Sequence, residues 1–230
     1  MKTINKLLLI LAICAGCIAV FTGCATSTEP EEEFIVSLDS PFVVIGEIDV
    51  QFMRPLSLAL RRENITVLYF PHDDAVCLRF RLDFITYHQF WSRSGRQAFL
   101  NALAQYNQDF DDRNLPNSRR SRQTYGSVKG FLTWQQFDLA VRARANMNVD
   151  LGFDFRERLP YFTITQGRAE FINPNIPQQN RTSQVIPIFF TRAQAAELAA
   201  LFEQHHLRQF EQQNVRIPAG LLNIDREDGF

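Results

Sequence analysis

From Leu139 through Val141, Ala143, Ala145, Met147, Val149, Leu151, Phe153 and Phe155 every second residue is apolar. Between them stand Arg142, Arg144, Asn146, Asn148, Asp150, Gly152 and Asp154. Successive side chains of a strand point to opposite faces, so this alternation predicts a strand with one face in a core and the other in water. As one straight strand the stretch would reach about 55 Å, which predicts a bend or bulge near residues 146–148 or at Gly152. The same period marks residues 43–52 and 75–87. The second of these reads as a hairpin arm, joined to residues 65–70 through the turn Pro71-His72-Asp73-Asp74. Residues 125–136, 161–172 (broken at Gln166-Gly167) and 184–190 complete the strands, while residues 55–62 read equally as a short helix or a connecting strand.

In two places the period lengthens. Phe99, Leu103, Tyr106 and Phe110 recur at helical spacing after a Ser92 or Ser94 cap. Thr191 followed by Gln194 forms a capping box for a helix reaching about residue 213, with Leu198, Leu201, Phe202 and His205 on its inner face. The order is strands, helix, strands, helix. The expected fold is therefore α+β, a mostly antiparallel, curved sheet of about six to eight strands with two main helices.

The N-terminus follows another pattern. Lys2 and Lys6 precede an almost unbroken apolar run over residues 7–21, closed by Thr22-Gly23-Cys24. The run is shorter than the roughly 20 residues that cross a bilayer, so it reads as a secretion signal. Its end resembles a bacterial lipobox of the relaxed kind found in spirochaetes, with Phe21 where leucine is commonest. That resemblance implies acylation of Cys24 as the mature N-terminus. Cys14-Ala15-Gly16-Cys17 competes, but cleavage there would leave Ile18, Ala19, Val20 and Phe21 exposed, whereas Cys24 leads straight into a polar, proline-containing stretch. The expected organisation is a signal over 1–23, a lipidated cysteine and tether over 24–33, a single α+β domain over 34–214 and a partly ordered tail over 215–230. Past Cys24 the sole cysteine is Cys77, so no disulfide is expected within the domain.

Composition narrows the function. Apolar residues make up 46% and charged residues 21% of the chain, as in ordinary globular proteins. The net charge is −1 and becomes more negative once Lys2 and Lys6 are removed, which argues against nucleic acid as a partner. His72, His88, His205 and His206 are scattered, and His72-Asp73-Asp74 reads as turn chemistry rather than a cation site. Ser94-Gly95-Arg96 and Gly126-Ser127 lack the glycine spacing of a nucleophile elbow. Asp150 and Asp154 share a strand face with Arg142, Arg144 and Arg156, which reads as a charge ladder rather than an acid/base pair. No catalytic residue, metal site or cofactor is expected. The one basic cluster seen in the sequence is Arg113, Arg119, Arg120 and Arg122, a candidate contact for a partner or for anionic head groups. Twenty-one phenylalanines would fill a core, or line a cavity between sheet and helices.

Four stretches, Phe84-Ile-Thr-Tyr-His-Gln-Phe-Trp91, Tyr125-Gly-Ser-Val-Lys-Gly130, Tyr161-Phe-Thr-Ile-Thr-Gln166 and Phe190-Thr-Arg-Ala-Gln-Ala195, resemble a group of uncharacterised spirochaete lipoproteins. The resemblance implies an anchored protein and carries no activity. The expected function is that of a non-enzymatic, lipid-anchored cell-envelope protein with a binding or structural role. It would meet the membrane through its N-terminal lipid and would have an envelope protein or an apolar ligand as its partner. A carrier of an apolar molecule is the alternative, and a hydrolase the third reading. Ala25 in place of a retention aspartate points to the periplasmic side of the outer membrane, with the inner membrane and the cell surface as the other locations.

Overall fold

A computed structural model of the chain describes residues 36, 40–53, 59–116, 123–136, 142–171 and 181–213. Eight strands follow in order: β1 Val43–Met53, β2 Leu60–Phe70, β3 Ala75–Leu82, β4 Ile85–Trp91, β5 Gln123–Gln136, β6 Ala143–Arg156, β7 Leu159–Gln166 and β8 Ile186–Phe190. Three helices accompany them: α1 Arg93–Asp111, α2 Arg192–Phe202 and α3 Gln204–Gln213. Each strand pairs antiparallel with the next. β1 also pairs with β8, Gln51 opposite Phe189 and Phe52 opposite Ile188, so the sheet closes into a barrel.

This overturns the expected curved α+β sheet with two main helices: the fold is a closed antiparallel barrel, mostly sheet, with three short helices. Closure depends on a register between strands at opposite ends of the chain, which no local pattern records. The arm over residues 75–87 is also two strands rather than one. Asp83 takes a positive φ of 54° and, with Phe84, turns the chain between Leu82 and Ile85. A single long helix over 191–213 is interrupted because Glu203 is extended (φ −66°, ψ 128°). The alternating stretch forms one 14-residue strand over the part described, and the bulge lies in its partner β5, between Thr124 and Gly126.

Alternation then sorts the side chains. Ile48, Val50 and Phe52 of β1, Val76, Leu78 and Phe80 of β3, Val149, Leu151 and Phe153 of β6, and Ile186, Ile188 and Phe190 of β8 all point into one contiguous core. Helices α1 and α2 follow β4 and β8 at the same rim, and their apolar faces join that core. Phe99 of α1 meets Trp91, Phe162 and Phe202 with ring centroids 6.1, 5.5 and 5.0 Å away. Full burial of such a side chain contributes about 1.5–3 kcal/mol. Ser92 caps α1 by accepting from the Gly95 amide, and Thr191 with Gln194 forms the capping box of α2.

A second, smaller cluster lies on the outside of β2–β5. Leu68, Phe70, Ala75, Cys77, Phe90 and Phe131 are covered there by Val36 and Phe42, ahead of β1. Elsewhere the outer face is largely polar, with Arg79, Arg81, Arg144 and Asn146 in its ladders, the exception being Phe189 against Tyr161 on β7–β8. An apolar inside and a polar outside is the reverse of a membrane-spanning barrel, whose lipid face is apolar.

Candidate functional site

An eight-stranded barrel is just wide enough for side chains to fill its interior or to hold one small ligand. On β4 the inward phase reads Ile85, Tyr87, Gln89 and Trp91, which puts a carboxamide between two aromatic rings on an otherwise apolar wall. The ladder sets Gln89 between Leu78 of β3 and Leu132 of β5, with the small Ala145 opposite Leu132 on β6. Gln89 is 0% exposed, and neither its Oε1 nor its Nε2 has a hydrogen-bond partner. The indole Nε1 of Trp91, two residues on and 1% exposed, is likewise unpartnered.

A third group comes from β7. Gln166 is the last inward residue after Phe162 and Ile164 and is 0% exposed. Its Nε2 donates to the Gln184 carbonyl at 3.4 Å, while its Oε1 has no partner. A buried polar group left unsatisfied costs about 1–3 kcal/mol, so such atoms call for a partner, either water or a ligand.

The electrostatics of this wall select neutral chemistry. Among the described residues Arg96 is a buried cation (1% exposed), but it sits at the helix rim and is already engaged. Its Nη2 donates to Asp74 Oδ1 at 2.7 Å and to Gln204 Oε1 at 2.8 Å, and its Nη1 to the Asp74 carbonyl at 2.6 Å. Tyr87 stacks on Phe80 (centroids 5.4 Å apart, planes at 18°), and burial pushes its phenol up to about 12, so it stays uncharged. On β4 this wall offers the Gln89 amide and the Trp91 indole as donors and the Gln89 Oε1 as acceptor, with the Gln166 Oε1 a separate acceptor three strands away on β7. It presents no nucleophile activated by a base.

Cys24, the residue expected to carry lipid, lies outside the described residues, as do Arg119, Arg120 and Arg122 of the expected basic cluster. Arg113 is exposed just past α1, with a positive φ of 57°. His72 is exposed beside Asp73 (3.3 Å), His205 pairs with Glu203 (3.2 Å), and His88 is buried on the outer side of β4. The described residues contain no group of three His, Cys, Asp or Glu side chains able to hold a metal ion. Cys77 is fully buried, and burial pushes its thiol well above the usual range. The interior glutamines were missed by the sequence reading, although each left a signal: a polar residue on the apolar phase of a strand, Gln89 between Tyr87 and Trp91, and Gln166 after Phe162 and Ile164.

Fold and wall together define a small meander barrel with helices packed at one rim and a neutral polar spot in an apolar interior. Residues 44–209 match the family model described as an uncharacterised Treponema protein, and the chain belongs to that family. It is 26% identical over 192 residues to an uncharacterised protein of Treponema pallidum (strain Nichols), a match that takes in 82% of this chain and 65% of the relative. The chain thus spans just under two thirds of that relative's length. No solved structure matches.

Proposed function

We propose that this is a non-enzymatic, lipid-anchored binding protein of the cell envelope, whose barrel takes up a small, neutral, largely apolar molecule. The observation that carries the binding part is the Gln89 carboxamide, fully buried in the barrel wall with both its donor and its acceptor unused. A ligand with one hydroxyl, carbonyl or amide group would satisfy it and bury its apolar remainder against Leu78, Leu132 and their neighbours. Organic extraction of the purified protein followed by mass spectrometry is the test. Recovery of one molecular species, reduced in the Gln89→Leu variant, is the expected result. An extract with no such species would refute the reading.

The anchored part rests on the sequence of residues 1–33, and its natural location is the periplasmic side of the outer membrane. Incorporation of labelled fatty acid at Cys24, and release from the membrane fraction by Cys24→Ala, are the outcomes it requires. A second mode of action, contact with an envelope protein through the outer face, is supported by the polar ladders of β3–β6. An envelope protein crosslinked to that face in detergent, where no lipid surface is present, would favour it.

A further inference from the structure

The outer side of β3–β6 brings together arginines that lie far apart in sequence. One ladder row runs Arg79, His88, Thr133, Arg144, and the next runs Arg81, Thr86, Gln135 with Arg142 at its end. Strand spacing puts Arg79 and Arg144 about 14 Å apart across the sheet, with the second row about 7 Å further along the strands. Arg81 and Arg144 are exposed, Arg79 and Arg142 half-buried. Among the described residues no carboxylate lies within ion-pair distance of Arg79, Arg81 or Arg144. Several other arginines are used differently: Arg61 is bound to Glu63, Arg62 to Asp49, Arg96 to Asp74, Arg156 to Asp154 and Arg192 to Asp111.

Two further facts give this face a direction. The apolar cluster capped by Val36 and Phe42 occupies the same outer side of β2–β5, one ladder row from Arg79, because Cys77 pairs with Phe90 and Arg79 with His88. Val36 therefore lies on the arginine side of the barrel. Eleven residues lie between Cys24 and Val36, a chain that spans at most about 40 Å. We infer that the face carrying Arg79, Arg81, Arg142 and Arg144 rests on anionic phospholipid head groups and fixes how the barrel stands on its membrane. This rests on the anchored reading. Guanidinium groups pair with phosphate oxygens through two parallel hydrogen bonds, and basic side chains near an anionic surface add to an acyl anchor. This sheet face is separate from the expected contact of Arg113, Arg119, Arg120 and Arg122, the last three of which lie outside the described residues.

The test uses the protein extracted from membranes, carrying Thr86→Cys labelled with a fluorophore; Cys77 is buried and stays unlabelled in the folded state. It is reconstituted on vesicles of phosphatidylcholine, alone or mixed with phosphatidylglycerol. The expected result is loss of quenching by an aqueous quencher on the anionic vesicles only. Quenching should return in high salt and in the triple variant Arg79→Gln, Arg81→Gln, Arg144→Gln, which should still float with the vesicles. Equal accessibility on both vesicle types overturns the inference. Flotation on phosphatidylcholine reads the anchor alone. If that fails, capture by the anionic vesicles still supports the arginine face, and absence of capture refutes it.

Discussion

Arg96, on the first turn of α1, holds the carboxylate of Asp74 in the β2–β3 turn at 2.7 Å and takes the carbonyl of the same residue at 2.6 Å. Gln204 at the start of α3 completes the knot through its Oε1. One guanidinium thus ties a barrel turn to two helices that are far apart in sequence. Replacing Asp74 by alanine strands a buried cation, and the expected loss is about 3 kcal/mol, at the lower end for a buried pair because the Asp74 side chain is 36% exposed. Arg96→Met should cost markedly less, since the released carboxylate can turn to water. Urea unfolding of the two variants measures the difference.

The capping box of α2 is a smaller and more local test. The Thr191 side chain accepts from the Gln194 amide at 3.3 Å, and the Gln194 side chain accepts from the Thr191 amide at 2.9 Å. Thr191→Ala should lower stability by about 1 kcal/mol. The change should read as a shift in thermal midpoint with the barrel otherwise intact.

Alkaline pH should weaken the fold in two stages. Burial raises the Cys77 thiol well above 9.0, and it raises the Tyr87 and Tyr106 phenols from 10.0 to about 12. The folded chain therefore keeps protons that the unfolded chain has already released. Stability is complete below pH 9.0, declines first as the unfolded thiol ionises, and declines further between 10.0 and about 12 as the phenols follow. Cys77→Ala should remove the first slope and Tyr87→Phe should shallow the second. Denaturant midpoints taken across that range supply the measurement.

Gln89 should show opposite effects on stability and on binding. In protein stripped of ligand, Gln89→Leu removes two unsatisfied buried atoms and should raise stability by about 1–3 kcal/mol. The same change should lower ligand recovery. A variant that is destabilised when stripped would mean that the amide is already satisfied by an ordered water.

How much of this was legible in the chain depended on distance along it. The turn at residues 71–74, the caps at Ser92 and Thr191 and the alternation feeding β6 are local, and the sequence carries their chemistry within a few residues. Phe84 shows where locality misleads. It continues the apolar phase of Val76, Leu78, Phe80 and Leu82, yet it is 74% exposed at the tip of a two-residue turn. Barrel closure between Gln51–Phe52 and Ile188–Phe189 has no local trace, which is why a curved sheet rather than a barrel was expected. The arginine face has the same origin: Arg79 and Arg144 become neighbours only through the registers of β3–β6. Gln89 was legible as a polar intruder among apolar positions, but only burial reveals that it lacks a partner.

Native and denaturing mass spectra of the protein extracted from membranes test the central claim together. A chain that begins at Cys24 with acyl groups, and that is heavier under native conditions by one small molecule shed on unfolding and missing from Gln89→Leu, is the predicted result. An unmodified N-terminus would contradict the anchor, and equal native and denatured masses would contradict the binding interior.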